Sequence, residues 1–149
     1  MNIKIEPKET IYAYSTPIVQ QTSFWSKVKE KLGMNSCAFE FSVRNSDIYS
    51  EVGGFSYTNA DFIIFYQYLN DRDCLAYIPY GPETEPSESN QGAFLEELSE
   101  ILKSYLPKHC IALRYDLNWE SHWCREEDFD VKGNWIGLPQ KEFQEIKLN

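Results

Sequence analysis

At 149 residues the chain is long enough for one domain with a sizeable core. Its 42% hydrophobic and 15% aromatic content exclude disorder over the whole length. A net charge of −9 excludes a surface that grips nucleic acid all over, because phosphate binding needs a positive field. A local basic patch at Lys27, Lys29 and Lys31 stays open.

The first fifteen residues are weakly strand-like. The stretch "TSFWSKVKEKLG" then predicts a helix capped by Thr22 or Ser23 and ended by Gly33. Phe24, Val28 and Leu32 recur every fourth residue and predict its buried stripe, with Trp25 and Lys29 in the neighbouring row at the border. Strands are expected over 37–43, 61–69 and 74–80, and "NDRD" at 70–73 reads as a hairpin connection. The segment 45–60 is less clear, apart from a turn or loop at Gly53 and Gly54.

The strongest helical pattern carries Phe94, Leu95, Leu98, Ile101, Leu102, Tyr105 and Leu106 on one face. Ser89 or Asn90 is its expected cap, and Pro107 its stop. A strand over 110–115 follows. Strand, helix, strand implies a crossover and a parallel neighbour. The expected fold class is α/β (α+β), a mixed sheet with an antiparallel meander, a crossover helix and a following parallel strand. Residues 1–119 form the expected domain. Residues 120–149 read as an irregular arm or a lead-in to a second subdomain.

Cys37, Cys74, Cys110 and Cys124 are widely spaced, and "MNIKIEPKET" holds no apolar run. No window reaches the length of a membrane span. The reading is a cytoplasmic protein with free thiols. His109, Cys110, His122 and Cys124 fit no standard zinc spacing, so no metal is expected.

The order of elements resembles the GNAT-type (acyl-CoA N-acyltransferase-like) fold, an analogy that decides no function. Acetyl-CoA users of that fold hold pyrophosphate in a glycine-rich cradle after the fourth strand. Here the place holds Pro79, Tyr80, Gly81 and Pro82, followed by Glu83, Glu85 and Glu88. Proline has no N–H to offer and the glutamates repel phosphate. No cofactor is therefore expected.

"LAYIPYGPE", a helix and "IALRYDLNW" resemble the Fem-type (FemABX) peptidoglycan aminoacyltransferases. So does "QQTSFWSKVKEKLG", similar to the family's Gln-x-x-x-Trp-x-x-x-Lys helix, with Trp25 and Lys29 in its last two places. The three stretches span about residues 20–119 and resemble only the first of the family's two GNAT-like subdomains.

The resemblance implies transfer of an amino acid from aminoacyl-tRNA to a peptidoglycan precursor, either lipid II or UDP-MurNAc-pentapeptide, in interpeptide-bridge formation. It implies Lys29 facing precursor phosphates, Tyr80 offering a hydroxyl to a ligand, and Arg114 as a substrate-binding residue. Against these stand a snorkelling surface lysine, a rigid structural turn in which Gly81 takes a backbone shape closed to other residues, and a structural Arg114–Asp116 ion pair. A family tyrosine three positions before that arginine is Ile111 here, so its contact does not carry over. No catalytic residue is named, since an amine attacking an activated ester depends on positioning more than on a dedicated base. The other readings are a non-catalytic binding or assembly module, self-associating through Trp123, Phe129 and Trp135, and an acetyl-CoA-dependent N-acetyltransferase.

Overall fold

The computed structural model describes residues 1–50, 53–119, 129–134 and 136. Two compact units make up the chain, Met1–Asn118 and Trp119–Asn149. His122, Trp123, Cys124 and Trp135 lie outside the described residues.

The first unit is a mixed α+β structure around one five-stranded sheet. Its elements are β1 (Ile3–Lys8), α1 (Ser23–Lys31), β2 (Asn35–Arg44), α2 (Asn45–Ile48), β3 (Tyr57–Tyr68), β4 (Cys74–Pro79), α3 (Glu88–Leu102) and β5 (Cys110–Asp116). The strands lie in the order β1-β2-β3-β4-β5. The first four pair antiparallel, and β5 returns parallel to β4 after the α3 crossover. The expected meander, crossover and parallel strand are all present.

Alternation along the strands sorts the side chains onto two faces. One face is aromatic. Phe39 and Phe41 flank Phe62, and Phe94 of α3 meets Phe41 at 5.8 Å between ring centroids. Phe94, Leu98 and Leu102 are fully buried here, at the four-residue spacing the pattern predicts. Each such burial is worth about 1.5–3 kcal/mol. The cap of α3 is Ser87, not Ser89 or Asn90; its hydroxyl accepts from the Ser50 N–H, tying the helix start to the chain beyond α2.

The other face is covered by α1. Ala38, Ile63 and Phe65 form its centre, with Trp25 and Met34 packed on them. The expected inward stripe of α1 is reversed: Phe24 is 64% exposed and Leu32 71%. The row that faces the sheet is the mixed one, with Trp25, buried Ser26 and half-buried Lys29. Ser26 bonds the Ser36 hydroxyl of β2 at 2.6 Å, which a stripe of alkyl groups could not do. Thr22 caps the helix by accepting from the Trp25 N–H, and Gly33, at φ +82, closes it.

At the end of β4 the chain turns sharply. Tyr80 takes φ 51, and the Gly81–Pro82 bond is cis. The left-handed residue is thus Tyr80, not Gly81 as expected. Gly81 is required for a different reason. A Cβ there would stand 3.0 Å from Gln21 Nε2 and 3.2 Å from Ile78 Cγ2. Because Gln21 is held by hydrogen bonds, it has little room to give way. Gly81→Ala is expected to cost about 1–3 kcal/mol, as overpacking does. Tyr80→Gly, which relieves a positive φ at a half-exposed side chain, is expected to be neutral or stabilising. Urea denaturation of both variants checks the opposite signs.

Candidate functional site

The corner and α1 meet through Gln21, in the turn Val19–Gln21 before the helix. The β3–β4 ladder is regular down to Phe65 opposite Tyr77. Two residues further, Ile63 would face Pro79. That rung cannot form, because Pro79 has no N–H to donate to Ile63. The carboxamide of Gln21 fills the place of the missing peptide group. Its Oε1 accepts from the Ile63 N–H at 2.6 Å, and its Nε2 donates to the Pro79 carbonyl at 2.5 Å and approaches the Ile63 carbonyl at 3.5 Å. Gln21 is only 5% exposed, and no buried side-chain polar atom among the described residues lacks a partner.

Four and eight residues on, Trp25 and Lys29 continue the same line of the helix. They form one wall of a cleft of 440 Å³ whose floor includes Phe65, Gln67, Tyr77 and Pro79 of β3 and β4. The Lys29 ammonium stands 5.1 Å from the centre of the Trp25 ring. Among the described residues it makes no ion pair, so its charge remains available to an anion in the cleft.

Tyr77 connects this cleft to β5. Its neighbour in the parallel register is Arg114, whose guanidinium lies 5.3 Å from the tyrosine ring centre. The Tyr77 hydroxyl donates to Asp116 Oδ2 at 2.5 Å, and Arg114 Nε and Nη2 donate to Asp116 Oδ1 at 3.0 and 2.9 Å. Arg114 and Asp116 therefore do pair on one face, as their two-residue spacing predicts. Burial, with the bond to Asp116, pushes the Tyr77 phenol up to about 12. The Tyr77 hydroxyl, helped by Arg114, holds the Asp116 carboxyl below its ordinary range.

A carboxyl with a depressed folded-state pKa stabilises the fold above its unfolded value of about 3.9, and that contribution is lost as pH falls through the folded value. Tyr77→Phe is expected to return the Asp116 titration toward the ordinary carboxylate range. The part of the stability that this carboxyl supplies, and that acidification removes, should then shrink. Carboxyl carbon shifts followed against pH check this.

Of the predicted site residues, Lys29 lies in the cleft and Arg114 reaches it through Tyr77. Tyr80 does neither: it is 47% exposed at the corner and absent from the cleft lining. Ile111 is exposed beside the irregularity between Cys74 and Leu75 in the β4–β5 register. Tyr77 is not among the residues the sequence points to, and Gln21 enters there only as the first place of the Gln-x-x-x-Trp-x-x-x-Lys pattern, with no structural task attached. The signal for the task of Gln21 is Pro79, a strand residue that leaves its neighbour a rung short.

The corner offers little to pyrophosphate. Pro79 and Pro82 carry no N–H, and the Gly81 N–H is spent on the Asp116 carbonyl at 3.2 Å. No group of three His, Cys, Asp or Glu side chains suits a metal ion among the described residues. Cys37, Cys74 and Cys110 are free thiols. No helix among the described residues is long and apolar enough to cross a membrane. No protein-family model matches the chain, and no curated protein or solved structure matches it significantly.

Proposed function

We propose that this chain carries a GNAT-like domain equivalent to the first half of a Fem-type aminoacyltransferase, and that its cleft holds a phosphate-bearing peptidoglycan precursor. The observation that carries the reading is the alignment of Gln21, Trp25 and Lys29, the residue types of the Fem-type helix signature at its spacing. Each has a separate physical task on one face of the helix. Gln21 replaces the missing rung and fixes the helix start against β3 and β4. Trp25 packs on the sheet, and Lys29 presents a cation over the cleft. A point charge on a rigid helix suits phosphate, and the neighbouring aromatics offer surface to a sugar or peptide.

In the proposed reaction the precursor's side-chain amine attacks the ester carbonyl of aminoacyl-tRNA. A C–N bond forms, the C–O bond to the tRNA breaks, and the amine proton leaves with the ribose hydroxyl. The part of this domain is positioning of the precursor. The occupied Gly81 N–H and the two prolines weigh against the acetyl-CoA alternative.

Fluorescent UDP-MurNAc-pentapeptide and lipid II test the reading in direct binding to the whole chain. Saturable binding is expected for one of them. Lys29→Ala should weaken it about tenfold, the loss of one charge-assisted contact. Failure to bind either precursor contradicts the proposal.

A further inference from the structure

We infer that the outward face of α1 is an interfacial docking face for an anionic lipid bilayer. The apolar stripe that a soluble helix would turn inward points out here. Phe24 and Leu32 are 64% and 71% exposed, Val28 stands between them, half-buried, and Leu32 at the C-cap also rims the cleft beside Lys29. The inward face is already satisfied by Gln21, Trp25 and Ser26, so the exposed stripe has no task in holding the fold.

Charge selects the occupant. Lys27 and Lys31 border the same shallow groove as Phe24 and Val28, with Glu30 the one acid of the helix. The chain as a whole carries −9. An anionic surface repels most of this protein and attracts this helix. At physiological salt the field of the remaining charges is screened within about 8 Å, so the local lysines decide the approach. Their alkyl stems lie along the apolar stripe while the ammonium groups reach the headgroups.

Area separates a bilayer from a protein partner. Two side chains on a nine-residue helix and one at its C-cap, all partly covered, supply well under half of the ~800 Å² per partner that a specific protein interface needs. A bilayer imposes no such minimum, since it accepts each apolar side chain separately.

Co-sedimentation with vesicles tests the inference, comparing phosphatidylcholine with 30% phosphatidylglycerol against phosphatidylcholine alone. The whole chain should sediment with the anionic vesicles at 50 mM NaCl and dissociate at 500 mM. Phe24→Ser/Leu32→Ser should lower the partition coefficient at least tenfold. Lys27→Gln and Lys31→Gln should each lower it about fivefold. Phe55→Ser, at a residue 88% exposed outside α1, should leave it unchanged. All these positions are on the surface, and circular dichroism verifies that each variant folds.

The inference is overturned if neither vesicle binds the chain, or if Phe24→Ser/Leu32→Ser binds as tightly as the parent. It is also overturned if that variant instead dissolves a concentration-dependent dimer, which would place a second copy on the face. The vesicles contain no cell-wall precursor, so either result is independent of the proposed function.

Discussion

Gln21→Leu is expected to lower the free energy of unfolding by about 2–6 kcal/mol, because it leaves the buried Ile63 N–H and the Pro79 carbonyl without partners at about 1–3 kcal/mol each. For a domain of this size that is a fall of roughly 10–20 °C in melting temperature. The loss should exceed what the small change in apolar packing would cause, because leucine nearly matches glutamine in volume.

Gln21→Glu separates the hydrogen-bond account from a packing account. A protonated carboxyl keeps one acceptor for Ile63 and one donor for Pro79. An ionised one keeps the acceptor, loses the donor and buries a charge. Its folded-state pKa is therefore expected above the unfolded value of about 4.3. Between those two values the folded state binds more protons than the unfolded one, so stability falls as pH rises. The variant should lie close to the parent at pH 4 and well below it at pH 7. Urea denaturation at both pH values measures the difference. A pH-independent loss would mean that Gln21 acts by shape alone.

Lys8→Met is the second large effect, expected to cost about 3–5 kcal/mol. Lys8 lies at the end of β1, where its ammonium meets Asp61 Oδ2 of β3 at 2.5 Å and Glu40 Oε2 of β2 at 3.4 Å. The side chains of Lys8 and Asp61 are each only 13% exposed. The ammonium also stands 3.8 Å from the centre of the Tyr14 ring, and Asp61 Oδ2 accepts the Tyr14 N–H at 2.7 Å. One cation thus ties three strands to the segment leading into α1.

Removing it leaves the largely covered Asp61 beside Glu40 with no opposing charge. Lys8→Met/Asp61→Asn should recover most of the loss, since asparagine still accepts from Tyr14 and carries no charge. Denaturation of the single and double variants checks this. Equal stability of the two would mean that the cost comes from the alkyl stem and not from the unpaired carboxylate.

The contrast between the two faces of the sheet explains what could be read from the sequence. The α3 face is a packing problem solved by alkyl and aromatic groups. The run of Phe94, Leu98 and Leu102 therefore reported it faithfully, as did strands β2 to β5 and the crossover. The α1 face is partly a hydrogen-bonding problem. Pro79 leaves a rung to be filled and Ser36 offers a hydroxyl, so the inward residues are Gln21 and Ser26 beside one tryptophan. A pattern that counts apolar residues selects Phe24, Val28 and Leu32 instead.

The corner departs from the sequence expectation in a similar way. Glycine usually marks a positive φ, yet the constraint on Gly81 is the nearness of Gln21 Nε2, a contact across sixty positions of sequence. In the candidate site, the place of Lys29 at the border of the buried row and the Arg114–Asp116 pair follow from local spacing, whereas a ligand-facing Lys29 follows only from the family resemblance. Tyr77 did not, because its role depends on the β4–β5 register that sets it beside Arg114.

The proposed function requires the cleft beside Lys29 to take an anionic ligand while the corner at residues 79–82 stays closed to pyrophosphate. An amide and indole NMR titration of the whole chain tests both halves. With UDP-MurNAc-pentapeptide, the Trp25 indole and the amides of Lys29 and Gln67 should shift while Gly81 stays in place; coenzyme A should move none of them. Coenzyme A shifting the Gly81 amide, or the precursor leaving Trp25 and Lys29 untouched, would contradict the account.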